Sequence, residues 1–197
     1  MTPRTPDPTR RSERSRQAIL TAAAELVTEL GYAKLTIEAI AARAGVGKQT
    51  IYRWWPSKGA VVFDALLATN EDEDGRLALP DTGDLAADLR VVVRGTAEEM
   101  STEFYDRAGR ALTAEVLTDH QLLGEYRERL LGPLLEVTKE RLRSARAAGQ
   151  VAEDTDLDVA VELLYGPMYY RWLHRLGPLD QAYADVLVEQ VVRALRP

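Results

Sequence analysis

Cysteine is missing from this 197-residue chain, and histidine occurs only twice. Without cysteine the chain has no disulfide, no thiolate nucleophile and no thiolate metal ligand, which favours a reducing, cytoplasmic setting. The two histidines, His120 and His174, lie far apart and match no zinc-ligand or catalytic-triad spacing. The composition therefore predicts no metal site and no cofactor, and it gives little support to an enzyme.

Long uninterrupted apolar runs are also missing, so no segment is predicted to cross a membrane. The N-terminus lacks the apolar stretch of a secretory signal. Residues 1–14 are rich in Pro, Thr, Arg and Ser, and they predict a disordered basic arm. Hydrophobic residues nevertheless make up 46% of the chain, which is enough for a sizeable core.

The net charge of −6 is unevenly distributed along the chain. Residues 1–58 contain 10 Lys and Arg against 5 Asp and Glu, whereas residues 59–197 contain 15 against 26. A basic first part on an acidic remainder suits a protein that meets phosphates with one face only.

Apolar residues recur at three- and four-residue spacings along most of the chain, and no segment alternates with a period of two. This pattern predicts an all-α fold of about nine helices, with Pro133 and Pro167 at kinks or breaks. We divide the chain into the arm at 1–14, a three-helix domain at 15–58, a linking helix and acidic loop at 59–83, and a C-terminal helical domain at 84–197.

The first helix of the most informative stretch, residues 35–58, has clear start and stop signals. Thr36 is placed to cap it, and Gly45 follows where a left-handed residue would end it. Its apolar face would consist of Ile37, Ile40 and Ala41.

The second helix of this stretch is predicted to begin near Lys48 and to stop before Pro56. Ile51 and Trp55 stand four residues apart, so they share one buried face. The polar side chains between them then point outward from a rigid helix, which is the arrangement that a DNA major groove receives.

This stretch resembles the TetR/AcrR-type transcriptional regulators. The resemblance rests on the strings Leu35-Thr36-Ile37, Ile40-Ala41-Ala42-Arg43-Ala44-Gly45-Val46 and Ile51-Tyr52-Arg53-Trp54-Trp55-Pro56-Ser57-Lys58. The chain departs from most members at Gly47, where they carry Ser or Thr, and at the two tryptophans, where they carry Tyr-Phe or His-Phe.

The resemblance implies DNA contacts from nine residues: Thr36, Gly47, Lys48, Gln49, Thr50, Tyr52, Arg53, Trp54 and Lys58. Among these, Lys48 and Arg53 suit the acceptors of guanine, and Gln49 can pair with adenine. Thr36, Tyr52 and Lys58 are expected to bind phosphates, with Tyr52 donating its hydroxyl.

The resemblance also implies a C-terminal domain that binds a small molecule and forms a homodimer. An apolar or aromatic effector would be lined by Met100, Phe104, Tyr126, Tyr165, Met168, Tyr169 and Trp172. The last two helices would pair with those of a second copy through Leu157, Val161, Leu164, Tyr183, Val186, Leu187 and Val191. Each of these side chains could equally belong to the core of one chain.

Together these observations predict a ligand-responsive, dimeric, cytoplasmic repressor that a small molecule releases from double-stranded operator DNA. The alternative is a DNA-binding regulator that has no small-molecule ligand and answers to a protein partner. An enzyme would require a cleft with convergent titratable groups, which the sequence does not display.

Overall fold

The computed structural model describes residues 8–70 and 79–197, with side chains from residue 12 to residue 68 and from residue 79 onward. Within these ranges the chain is helical and contains no strand, which confirms the all-α prediction. The helices are α1 (Pro8–Leu30), α2 (Ile37–Ala44), α3 (Lys48–Tyr52), α4 (Lys58–Asn70), α5 (Leu85–Met100), α6 (Glu103–Val116), α7 (His120–Tyr126), α8 (Gly132–Ala147), α9 (Leu157–Leu173) and α10 (Gln181–Leu195).

Helix α1 begins well before its predicted start at residue 15. Pro8 is its first residue, and proline is favoured there because its fixed φ suits a helix and its missing N–H has no partner to lose. The predicted arm at 1–14 is therefore helical from Pro8, and its remainder lies outside the described residues. The part of the predicted acidic loop at 71–78 also lies outside them.

The described helices form two compact units, and the chain passes between them more than once. The first unit contains the described residues up to Asn70 together with Glu103–Gly124. The second contains residues 79–102 and Glu125–Pro197. This division differs from the continuous one that we predicted, because α4 and α6 belong to the same unit as the helix-turn-helix.

The first unit is built around α1, which packs against α2, α4 and α6. Its core side chains recur at helical spacing and are almost fully inaccessible to solvent: Ile19, Ala23 and Val27 on α1, Ile40 on α2, and Val61 and Phe63 on α4. This shared core fixes the position of α2, the first helix of the helix-turn-helix, relative to α1 and α4.

The second unit consists of α5, α8, α9 and α10, with α10 packing on both α5 and α9. Pro167 lies inside α9 without ending it. Pro133 stands at the start of α8, directly after a π-helical turn at Arg127–Leu131. A wider turn of this kind relieves the clash between the ring of Pro133 and the preceding turn. Both prolines lie in helices rather than ending them.

An ion pair is buried inside the second unit. Arg141 of α8 and Asp88 of α5 are 4% and 1% exposed, and Arg141 Nη2 lies 2.7 Å from Asp88 Oδ2. Thr82 completes the site by donating its hydroxyl to Asp88 Oδ1 at 2.7 Å. The three groups join α5, α8 and the segment that enters α5.

None of the described helices is both long and apolar enough to span a bilayer.

Candidate nucleic-acid interface

Helix α2 has the two ends that its sequence predicts. The Ala39 N–H donates to Thr36 Oγ1 at 3.1 Å, which caps the first turn. At the other end Gly45 has a φ of 66°, and the Val46 N–H reaches back to the Ala41 carbonyl at 3.0 Å. This left-handed ending turns the chain sharply toward α3.

Helix α3 is short, and two side chains fix it to the rest of the unit. Ile51 is fully buried, and Trp55, three residues beyond the last helical residue, is 4% exposed. The indole Nε1 of Trp55 donates to Asp64 Oδ2 of α4 at 2.9 Å. Both side chains are buried as predicted, although the helix ends at Tyr52 and does not extend to Pro56. The hydrogen bond to α4 adds to their apolar packing.

The outer side of this element carries most of the predicted DNA-binding residues. The exposed ones are Thr36, Gly47, Lys48, Gln49, Tyr52 and Arg53, and the partly exposed ones are Thr50, Trp54 and Lys58. Trp54 packs edge to face on Trp55 with ring centroids 5.3 Å apart, and the Arg53 guanidinium lies 5.3 Å from the Trp54 ring centroid. The Trp54 ring thus makes a cation–π contact with Arg53 beside α3.

Lys58 was predicted to bind phosphate, and in this structure its ammonium group also has a structural task. Its Nζ donates to the carbonyls of Tyr32 and Leu35 at 3.1 and 3.2 Å. It also lies 4.3 Å from the centroid of the Tyr32 ring. Two of the three protons of the ammonium thus hold the start of α4 to the turn before α2.

Two ion-pair groups in this unit were not predicted. Arg43 near the end of α2 bridges to Glu29 at 2.8 Å and to Glu25 at 3.1 Å, which ties α2 to α1. Lys48 Nζ of α3 lies 3.0 Å from Glu38 Oε1 of α2. Their sequence separations follow no local rule, so only the packing of the helices brings these charges together.

A groove of about 570 Å³ adjoins α3 and was also not predicted. Its walls include Ser12 and Ser15 of α1 as well as Thr50 and Arg53. Hydroxyl and guanidinium groups are the side-chain types that commonly contact DNA phosphates. The early start of α1 at Pro8 places Ser12 in this groove, whereas the composition of residues 1–14 predicts a disordered arm.

The predicted effector-lining residues are not all in one unit. Phe104 belongs to the first unit and the other six to the second. Met168 and Trp172 are buried, and the Tyr169 and Trp172 rings lie 5.6 Å apart. The Tyr165 hydroxyl lies 2.9 Å from Thr138 Oγ1. Burial raises the pKa of Tyr126, and the nearby Tyr169 raises it further.

Four of the residues predicted for the dimer interface are part of the core of a single chain. Val161, Leu164, Leu187 and Val191 are at most 8% exposed in the single chain. Leu157 and Tyr183 are partly exposed, and Val186 is 56% exposed.

Three exposed apolar side chains of α9 occupy its opposite face. They are Val159, Leu163 and Tyr170, which are 50%, 45% and 60% exposed, whereas Tyr169, 39% exposed, lies to one side. Spacings of four and seven residues place them on one side of the helix. Because α9 is apolar on both sides, its sequence pattern did not reveal which side faces its own core.

Comparison with known proteins defines the class to which this fold belongs. Residues 19–65 match the family described as "Bacterial regulatory proteins, tetR family", and residues 79–191 match "Tetracyclin repressor-like, C-terminal domain". The protein is a helix-turn-helix transcriptional regulator with a DNA-binding domain. It belongs to the TetR family, whose members are transcriptional regulators and not enzymes.

Relatives align with the chain over nearly its full length. The uncharacterized HTH-type transcriptional regulator YdeS of Bacillus subtilis is 33% identical over 94% of this chain and 92% of its own. The DNA-binding transcriptional repressor TetR of Mycobacteroides abscessus is 29% identical over 94% and 95%. The crystal structure of the TetR family transcription regulator SCO0332 superposes with a TM-score of 0.74 at 36% identity, covering 93% of this chain and 99% of that one.

Proposed function

We propose that the protein is a ligand-responsive, dimeric repressor that reads operator DNA with the outer side of α3. The observation that carries this proposal is the contrast between the inner and outer sides of α3 and the residues that follow it. Ile51 and Trp55 are buried in the core, while Gln49 and Arg53 are exposed beside them. A helix fixed in this way can present its donors to base edges without reorganisation.

The residues of the interface divide into two groups by their chemistry. Lys48, Gln49 and Arg53 can donate to acceptors in the major groove, so we assign them to base edges. Thr36, Tyr52 and Lys58 are placed to contact phosphates, which position the protein without reading the sequence. Gly47, Thr50 and Trp54 complete the surface between the two groups.

A homodimer follows from the size of the recognition element. One helix buries too little surface to select a site, whereas two copies related by a two-fold axis read half-sites roughly 34–36 Å apart or a multiple of that distance. The exposed apolar face of α9, Val159, Leu163 and Tyr170, together with Val186 of α10, supports pairing through the last two helices.

An apolar or aromatic small molecule is the proposed effector, bound by the aromatic and methionine side chains of the second unit. It would favour one of two arrangements of the protein and so reduce the population that matches the operator. The repeated passage of the chain between the two units supports this coupling, and the repressor among the relatives supports the sign of regulation. A bacterial DNA-binding regulator of this kind acts in the cytoplasm.

The proposal is tested by removing the reading side chains one at a time. We expect Arg53→Ala to weaken binding to a duplex selected by the wild-type protein by about 5- to 150-fold, the range of one base contact. Lys48→Ala should weaken it in the same direction. Arg143→Ala is the matched control, because this arginine lies on α8 of the second unit and its side chain is 50% exposed. Wild-type affinity in both test variants would remove α3 from the DNA interface.

A further inference from the structure

A glutamate places a negative charge in the surface that is proposed to receive DNA. Glu38 is the second residue of α2, and its side chain is 63% exposed. Its Oε1 accepts a hydrogen bond from Lys48 Nζ at 3.0 Å. Since Lys48 is the first residue of α3, this contact joins the exposed starts of the two helices that form the helix-turn-helix.

Both partners of this contact are charged at neutral pH. The hydrogen bond from Lys48 lowers the pKa of the Glu38 carboxyl. The same hydrogen bond raises the pKa of the Lys48 ammonium. A full negative charge therefore stands beside one of the cations to which we assign a base edge, where it repels any phosphate that approaches.

The other acidic contacts of α2 have a simpler explanation. Glu25 and Glu29 of α1 hold Arg43, and neither they nor Arg43 belong to α3 or to the turn before it. That cluster fastens α2 to α1. Glu38 fastens nothing in the core, because both members of its pair are exposed and the pair is weak in water. A carboxylate in the first turn of α2 also complements the helix dipole and accepts a hydrogen bond from its own backbone N–H, but this accounts for an acid at this position and not for its contact with Lys48.

We propose that Glu38 determines the selectivity of the DNA interface, an inference that rests on the proposed function. A lysine ammonium is a mobile point charge with three donors, and it binds phosphates as readily as bases. With one proton held by Glu38, two remain for the guanine acceptors N7 and O6. The carboxylate thereby directs Lys48 toward base edges and opposes the phosphate contacts on which non-specific binding depends.

The test compares Glu38→Gln with wild type on two duplexes. One duplex is selected by the wild-type protein from a random pool, and the other is a scrambled sequence of equal length and base composition. In the variant Lys48 is free to neutralise one more phosphate, so affinity for the scrambled duplex should rise roughly 3- to 10-fold at low salt. The slope of log K against log salt on that duplex should steepen by about 0.9. Affinity for the selected duplex should change less, so the ratio of affinity for the selected duplex to affinity for the scrambled duplex falls.

Glu25→Gln is the matched control, since it removes the same charge from another exposed side chain, 51% against 63% for Glu38, and leaves Arg43 bound to Glu29. It should keep the wild-type ratio and slope. The double variant Glu38→Gln with Lys48→Gln should lose the steeper slope.

An unchanged ratio in Glu38→Gln, or an equal fall in Glu25→Gln, would overturn the assignment. So would a steeper slope that survives in the double variant. If the wild-type protein binds both duplexes equally, the proposed sequence-specific function fails as well. This outcome is distinguished from failure of the Glu38 proposal alone, because it is seen in the wild type before any variant is measured.

Discussion

Removing Arg141 from the second unit should destabilise the protein strongly, because it leaves the carboxylate of Asp88 buried without its partner. Asp88 is 1% exposed, and the arginine side chain is 2% exposed. Removing one partner of a buried ion pair typically lowers the free energy of unfolding by about 3–5 kcal/mol. For a chain of this length that corresponds to a fall of roughly 6–20 °C in Tm. Arg141→Met keeps most of the volume of the side chain, so the change isolates the lost charge.

The loss of stability in Arg141→Met should depend on pH through the ionisation of Asp88. Burial opposes the charge of Asp88, but hydrogen bonds from Thr82 and Arg141 outweigh it and lower the pKa of the carboxyl. In wild type this contribution to stability is complete above the unfolded pKa of about 3.9 and is lost as the pH falls through the lower folded value. In Arg141→Met the two hydrogen bonds from Thr82 remain, but the arginine's lowering effect is gone, so the pKa of Asp88 lies above its wild-type value. The variant should therefore regain stability relative to wild type between about pH 7 and pH 3, as the pH falls through its higher pKa.

The assay is thermal and urea unfolding followed by circular dichroism at both pH values. Arg143→Met is the control, because it lies two residues along the same helix with its side chain 50% exposed, and it should stay within about 0.5 kcal/mol of wild type. An Arg141→Met protein as stable as wild type near pH 7 would refute the reasoning. A gap between the two proteins that does not narrow on acidification would refute the assigned role of Asp88.

Two further substitutions test other parts of the molecule. Ile51→Ala should lower the free energy of unfolding by about 2–5 kcal/mol, because it opens a cavity under α3 at a fully buried side chain. It should weaken DNA binding as well. A variant that unfolds in urea with wild-type stability would contradict this packing. Leu163→Glu places a charge on the exposed face of α9 and should shift the protein toward monomer in sedimentation velocity, whereas an unchanged dimer would remove that face from the interface.

The helix-turn-helix was predictable because local rules define it. A threonine cap, a left-handed glycine and a proline after the second helix each act within a few residues, and Thr36 and Gly45 take the predicted conformations. The alternation of buried and exposed side chains around Ile51 follows from helical geometry alone. These signals do not depend on the rest of the chain.

The remaining features depend on tertiary packing, which sequence spacing does not encode. Glu38 meets Lys48 only because α2 and α3 cross at the right place, and Asp88 lies 53 residues from Arg141. On α9 both sides are apolar, so spacing alone left open whether Val161 belongs to the core of one chain or to a dimer interface. The start of α1 at Pro8 was missed because a composition rich in proline and arginine resembled a disordered arm.

The measurement that tests the central claim most directly is a dimethyl sulfate footprint on the selected duplex. Methylation at guanine N7 reports on the major groove, where that atom is exposed. If α3 enters this groove, wild type should protect guanine N7 in two patches about one helical turn apart or a multiple of it, and Arg53→Ala should lose protection at a symmetry-related pair of guanines. Full reactivity of every guanine N7 in the bound duplex would contradict the account.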